Sequence, residues 1–174
     1  MAVSVRAAEA SDFDAWFEIF ELVAAEGRWV GAEAPLPRSF MQKHFDRELR
    51  NEAAVTFLAE VDGALVGRIG IEDHRGCAEL GMLVHAEHRG QGVGAVLMEA
   101  CLDWCRDRGC HKVTLSVFPH NGAAIALYRR FGFQVEGRQA RHFRRRNGEL
   151  WDALLMGLVL DADAPGSPHL DAPA

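Results

Sequence analysis

Cysteine is sparse in the 174-residue chain: Cys77, Cys101, Cys105 and Cys110 contain no C-x-x-C pair. Neither a disulfide framework nor a zinc site of ordinary spacing is indicated. Cys101 and Cys105 stand four apart in a helical pattern, where small thiols pack as core residues. Basic charge is also short. With 19 Lys and Arg against 25 Asp and Glu, the net charge of −6 argues against a general nucleic-acid-binding surface, because neutralising phosphates needs a cationic face. Small amine substrates suit such a balance. No apolar run approaches the roughly 18 residues of a membrane span, and no signal-type hydrophobic segment follows Met1 to Arg6. A cytoplasmic location with no membrane partner is therefore expected. Tyrosine occurs once, at Tyr128.

What is present is enough apolar material, 49% of residues, for one domain with a single core. That domain is expected over residues 1–160. Residues 161–174, rich in Ala, Asp and Pro and without apolar periodicity, read as a disordered tail. Val3 to Arg6 alternates as a short strand. Ser11-x-x-Asp14 resembles a cap before Phe13, Trp16, Phe17, Phe20 and Val23, which recur at helical spacing. Pro35 and Pro37 break the chain, and Ser39 can cap a second helix carrying Phe40, His44, Phe45 and Leu49. Val55 to Val61 and Leu65 to Ile71 flank Asp62-Gly63, a hairpin signal, and a second turn is expected at Arg75-Gly76 before Glu79 to Val84. Val93, Leu97, Cys101 and Trp104 make the stripe of a third helix ending near Gly109. A strand over Val113 to Phe118 implies a parallel crossover, and Asn121 is an N-cap for a helix ending at Phe131-Gly132. Strands near Phe133 to Glu136 and over Leu150 to Leu160, with a turn at Asn147-Gly148, complete the order. The last strand is apolar on both faces, so it lies inside the sheet or against another subunit.

Arg89-Gly90-Gln91-Gly92-Val93-Gly94-Ala95 follows the strand ending at Val84 and opens the third helix. Its glycines let backbone approach a ligand and free N–H groups where a helix N-terminus attracts anions, so the loop suits a pyrophosphate. Gly90-x-Gly92-x-x-Ala95 also fits a dinucleotide fingerprint, but the next strand, Val113 to Phe118, carries no acid for a ribose. Read as Arg89-x-x-Gly92-x-Gly94 and followed by Asn121-Gly-Ala-Ala-Ile-Ala-Leu-Tyr128-Arg-Arg-Phe-Gly-Phe133, the chain resembles the GNAT superfamily of acyl-CoA-dependent N-acetyltransferases. The element order matches that fold over residues 3–160: an α/β (α+β) domain with a mixed, mostly antiparallel sheet of about seven strands and about four helices.

The resemblance implies an acetyl-CoA cosubstrate and no metal. Gly90, Gln91, Gly92, Val93, Gly94 and Ala95 would cradle the pyrophosphate, with Arg89 at the first motif position. Met82, Leu83 and Val84 would pair with the pantetheine arm as a further strand does, and one of their N–H groups would hold the thioester oxygen. Asn121 matches a cofactor-contacting position. Tyr128 would sit by the coenzyme sulfur as general acid. The implied reaction is direct attack of a primary amine, from a small molecule or a protein N-terminus, through a tetrahedral intermediate.

A base must first take a proton from the alkylammonium, and Glu79 is the candidate, with a plain surface charge as the other reading. Glu72 and His74 are alternatives. Ser116 stands where the ribosomal-protein N-acetyltransferases carry Glu, which leaves room for a non-catalytic acyl-CoA sensor. His85 and His88 are too few for a metal. Trp29, Glu33 and Arg38 fall near the connection that forms part of the family's acceptor pocket. Arg141-His-Phe-Arg-Arg-Arg146 reads as an exposed hairpin edge protected by charge, or as an anion contact. Family habit and the doubly apolar last strand point to a homodimer.

Overall fold

The computed structural model describes residues 2–161, so the tail expected over 161–174 lies, past Asp161, outside the described residues. The elements are β1 (Ser4–Ala7), α1 (Phe13–Ala25), α2 (Arg38–Arg50), β2 (Ala54–Val61), β3 (Ala64–His74), β4 (Cys77–Val84), α3 (Val93–Asp107), β5 (Lys112–Val117), α4 (Gly122–Arg130), β6 (Gln134–Arg144) and β7 (Leu150–Val159). They follow the expected order. Seven strands form one sheet, ordered β1-β2-β3-β4-β5-β7-β6 and antiparallel throughout except between β4 and β5.

Both Asx/Arg-Gly hairpins form as their chemistry requires. Asp62 and Gly63 have φ of 51° and 80°, and Arg75 and Gly76 have 61° and 91°, the positive pairs that match strand twist in a two-residue turn. Helix starts differ from expectation. The first turn is closed by Glu9 and Asp12, each accepting from the other's backbone, so the box lies two residues before Ser11-x-x-Asp14. α2 begins at Arg38 with Pro37 in the cap position, leaving Ser39 inside the helix.

Burial divides by sheet face. α3 lays Val93, Leu97, Met98, Cys101 and Cys105 against Ile69, Ile71, Ala78 and Leu115 on one face. On the other, α1 and α2 bring Phe13, Trp16, Met41 and Phe45 onto Leu58. Cys101 and Cys105 are buried as expected, and the hydrogen bond between them, with burial, pushes the Cys101 thiol above its ordinary range. β7 is an interior strand, between β5 and β6, and this accounts within one chain for apolar residues on both its faces.

Candidate active site

The parallel pair β4 and β5 is registered only from Cys77 to Glu79 against Lys112 to Thr114, although β4 runs on to Val84 and β5 to Val117. Beyond Glu79 the two strands part and leave a wedge inside the sheet. Strand alternation decides which main-chain groups face it. His85 N–H donates to Val66 O on β3, so Leu83 and Gly81 likewise direct their groups to β3, while Leu80, Met82 and Val84 direct theirs into the wedge. Met82 and Val84 thus have the geometry required of a strand partner. Leu83 does not: its polar groups face β3 and its side chain is buried beside Ile19 and Val23 of α1.

The wedge opens into a cavity of about 580 Å³, of a size that holds small ligands. One end is the glycine loop, where Gly90, Gly92, Gly94 and Ala95 line the wall. Gly90 and Gly92 have φ of 72° and 91°, and a Cβ on either would meet nothing within 4 Å. Among the described residues the N–H groups of residues 90–94 find no backbone acceptor, and α3 begins at Val93 directly behind them. Free donors at a helix N-terminus form a phosphate cradle, so these residues fit a pyrophosphate. Gln91 points elsewhere, donating to Glu87 O, and Val93 is buried in the core. Arg89 bridges the loop to its surroundings: Nε donates to Val84 O at 2.9 Å and the guanidinium pairs with Glu26 at 2.5 Å, an ion pair that holds the Glu26 carboxyl below its ordinary range.

Across the wedge stands α4. Asn121 caps it by accepting from Ala124 N–H at 3.2 Å and lines the cavity. Tyr128, two turns on, lines it too. Its ring packs on Phe133, and its hydroxyl has no hydrogen-bond partner among the described residues. Burial, with a smaller contribution from Cys101, pushes the phenol up to about 12.

Glu79 lies at the crotch of the wedge with an exposed side chain, outside the cavity wall, and Glu72 opposite it on β3 accepts from Asn51. His74 is exposed at the far end of β3. Ser116 does line the cavity. Among the described residues no three metal-ligating side chains cluster.

The remaining wall is the connection from α1 to α2, through Trp29, Val30, Gly31 and Ala32. Of the three residues expected there, only Trp29 reaches the cavity; Arg38 pairs with Asp14, and Glu33 with Arg145. The exposed-edge reading of Arg141 to Arg146 fails at Arg145, which is 3% exposed. Its guanidinium donates to the carbonyls of Gly27, Val30 and Gly31 at 3.1 to 3.2 Å and lies 4.5 Å over the Trp151 ring. Loop carbonyls need donors, and Arg145, the residue directly after β6, supplies them. Arg68 and Phe20 also line the cavity and carry no motif that would single them out in sequence.

A strand edge left open between β4 and β5, main-chain donors free at a helix end, and a phenol lining the same cavity have the geometry an acyl-CoA site requires. The model of the acetyltransferase (GNAT) family matches residues 16–133. The chain belongs to this family. It is an acetyl-CoA-dependent N-acetyltransferase with the GNAT fold. The L-methionine sulfoximine/L-methionine sulfone acetyltransferase of Pseudomonas paraeruginosa is 26% identical over 92% of this chain and 96% of its own. The L-amino acid N-acetyltransferase AaaT of Escherichia coli is 27% identical over 90% and 98%. Among solved structures, the phosphinothricin acetyltransferase of Sinorhizobium meliloti in complex with acetyl-CoA superposes with a TM-score of 0.84 at 22% identity, covering 99% of this chain and 97% of that one.

Proposed function

We propose that this GNAT enzyme acetylates the α-amine of a small amino acid-like acceptor, with Tyr128 acting at the sulfur of the departing coenzyme. The observation that carries the reading is the wedge, which has main-chain N–H groups on one lip and the phenol on the other. Acetyl-CoA brings the activated acyl group when bound. Residues 90–95, Arg89 and Asn121 would hold it, with its extended arm along the Met82 and Val84 edge, where one N–H group donates to the carbonyl oxygen as negative charge builds. Water is kept from the reacting atoms by Leu80, Val117 and Phe118, which line the same cavity.

With its phenol near 12, Tyr128 remains protonated at neutral pH. Complete transfer to a thiolate of ordinary pKa, about 8.5, would be uphill by about 5 kcal/mol, so the hydroxyl serves as a hydrogen-bond donor that stabilises sulfur as charge builds. Glu79, at the crotch, would take the ammonium proton through water; its place outside the cavity wall favours a relay over direct contact. The relatives named for amino acids favour this acceptor class over a protein N-terminus. A cytoplasmic homodimer completes the proposal, and light scattering after gel filtration tests the assembly.

The activity test is thiol release from acetyl-CoA across a panel of L-amino acids and plain amines. Turnover with at least one amino acid is expected. Acetyl-CoA binding without thiol release from any acceptor would instead describe a non-catalytic acyl-CoA sensor and overturn the reading.

A further inference from the structure

Arg68 is a buried charged side chain of the cavity wall that the reaction outlined above leaves unused. It rises from β3, is 6% exposed and lines the cavity on the side of α1 and the α1–α2 connection. Its hydrogen bonding is incomplete. Nε is buried without any partner, and Nη1 has none among the described residues. Nη2 reaches Glu48 and Thr56 only at 3.5 Å, the outer limit of a hydrogen bond. Glu48, itself hydrogen-bonded to Thr56 and paired with His44, faces this one nitrogen and leaves the other two free.

The surroundings are built to hold the guanidinium in place. Trp16 and Phe20 lie with their ring centroids 5.5 and 5.7 Å from its central carbon. Beneath it Gly70 is bare, and a Cβ there would collide with Nη2. Gly81, the cross-strand partner of Gly70, lines the cavity and would leave a Cβ free of contacts, so the floor beside the guanidinium is open up to Met82. The indole N–H of Trp16, whose ring flanks the guanidinium behind the cavity wall, is also buried without an acceptor. With Glu48 and Thr56 set against Nη2, the guanidinium keeps Nε and Nη1 as two unanswered donors on a planar cation. The complementary group is acceptor-only, planar and anionic, which describes a carboxylate.

We infer that Arg68 is the receptor for the carboxylate of the acceptor, so that the enzyme takes free α-amino acids and rejects acceptors in which that carboxylate is missing or amidated. The inference rests on the amino-acid reading proposed above and extends it: a protein N-terminus, whose first residue has no free carboxylate, leaves the guanidinium unanswered. Burial also pushes the Arg68 guanidinium below its ordinary pKa, the mark of a cation short of partners.

The test compares each L-amino acid of the panel with its own carboxamide, by thiol release and by calorimetric titration onto CoA-saturated full-length protein. Wild-type enzyme is expected to favour the free acid by about 100-fold or more in kcat/KM, as sites built around a polar substrate group do. Arg68→Gln strands the Glu48 carboxylate and can fail to fold, so Arg68→Gln/Glu48→Gln is measured beside it, with acetyl-CoA affinity as the check on folding. In the folded variant the preference is expected to fall to about threefold or less, because the charge-assisted bonds that create it are gone. Equal use of acid and carboxamide by wild type, or a preference retained in the double variant, overturns the inference. Carboxylate-dependent binding that the double variant loses, with no thiol release from any acceptor, keeps Arg68 as receptor and rejects the transferase reading alone. Absence of both binding and turnover rejects the two together.

Discussion

At the scale of single residues, the proposed chemistry concentrates on Tyr128. Its aromatic ring is part of the core, so a variant must separate packing from the hydroxyl. Tyr128→Phe keeps the ring and removes the donor; kcat is expected to fall about 100-fold or more with acetyl-CoA affinity changed by less than about threefold, the split expected of a hydrogen bond made only as charge builds in the transition state. Equal losses in kcat and affinity would assign the residue to packing. The raised phenol pKa adds a pH signature. A group protonated up to about 12 cannot cause an alkaline fall in kcat near pH 10, so the profile should stay level there until other groups intervene. A fall centred near 10 that disappears in Tyr128→Phe would contradict this.

Among the elements, the loop into α3 and the α1–α2 connection, held by Arg145 just after β6, line two parts of the cavity wall. Gly92 needs its left-handed φ of 91° and the open space beyond its missing Cβ. Gly92→Ala should therefore impose backbone strain of about 1 kcal/mol or more and put a methyl group where phosphate oxygens would lie. Acetyl-CoA KM is expected to rise about tenfold, with the acceptor KM little changed; an unchanged coenzyme KM would remove the loop from the phosphate site.

Arg145 acts on the second of these by satisfying three loop carbonyls. Arg145→Met keeps much of the packing on Trp151 but strands those carbonyls and Glu33, a loss of about 3 kcal/mol in unfolding free energy as measured in urea, accompanied by a higher acceptor KM. A stability loss below about 0.5 kcal/mol would restore the exposed-edge reading of this basic run. These two elements also mark where sequence stops being informative. The glycine loop was legible as a bend leading into a helix because a short motif holds that geometry in adjacent residues. Arg145 was not, because its partners sit more than 110 positions away on a loop and nothing local distinguishes it from Arg144. Arg68 was hidden for the same reason: alternation along β3 gives its face, while the cavity above it exists only after α1 and β4 are in place.

For the molecule as a whole, ion pairs link chain-distant parts, and their carboxylates set the acid limit of stability. Hydrogen bonds from Arg6 hold Asp12 below its ordinary range. Burial alone would push Glu48 upward, but its contacts with His44, Arg68 and Thr56 outweigh this and leave it lowered. Carboxylates depressed in the folded state contribute stability above their unfolded pKa and lose it as pH falls through the folded one, since the unfolded chain binds the protons first. Urea unfolding free energy should therefore be level near neutrality and decline below about pH 4, and the decline should be shallower in Glu48→Gln. A decline of the same depth in that variant would exclude Glu48 as a contributor. At this scale the order of strands and helices was readable in advance, because each hairpin turn and each apolar stripe is local. The parting of β4 from β5 was not, since it is a property of two strands separated by a whole helix.

That parting has a further consequence. Unpaired strand edges ordinarily invite other chains to add on, and proteins guard outer edges for that reason. Here the open edge is interior, flanked by both halves of its own sheet, so a neighbouring polypeptide cannot dock along it broadside. Only a slender, unbranched molecule entering lengthwise can complete the row of bonds, so the proposed placement of the cosubstrate arm carries with it a screen by cross-section that acts before any side chain is consulted.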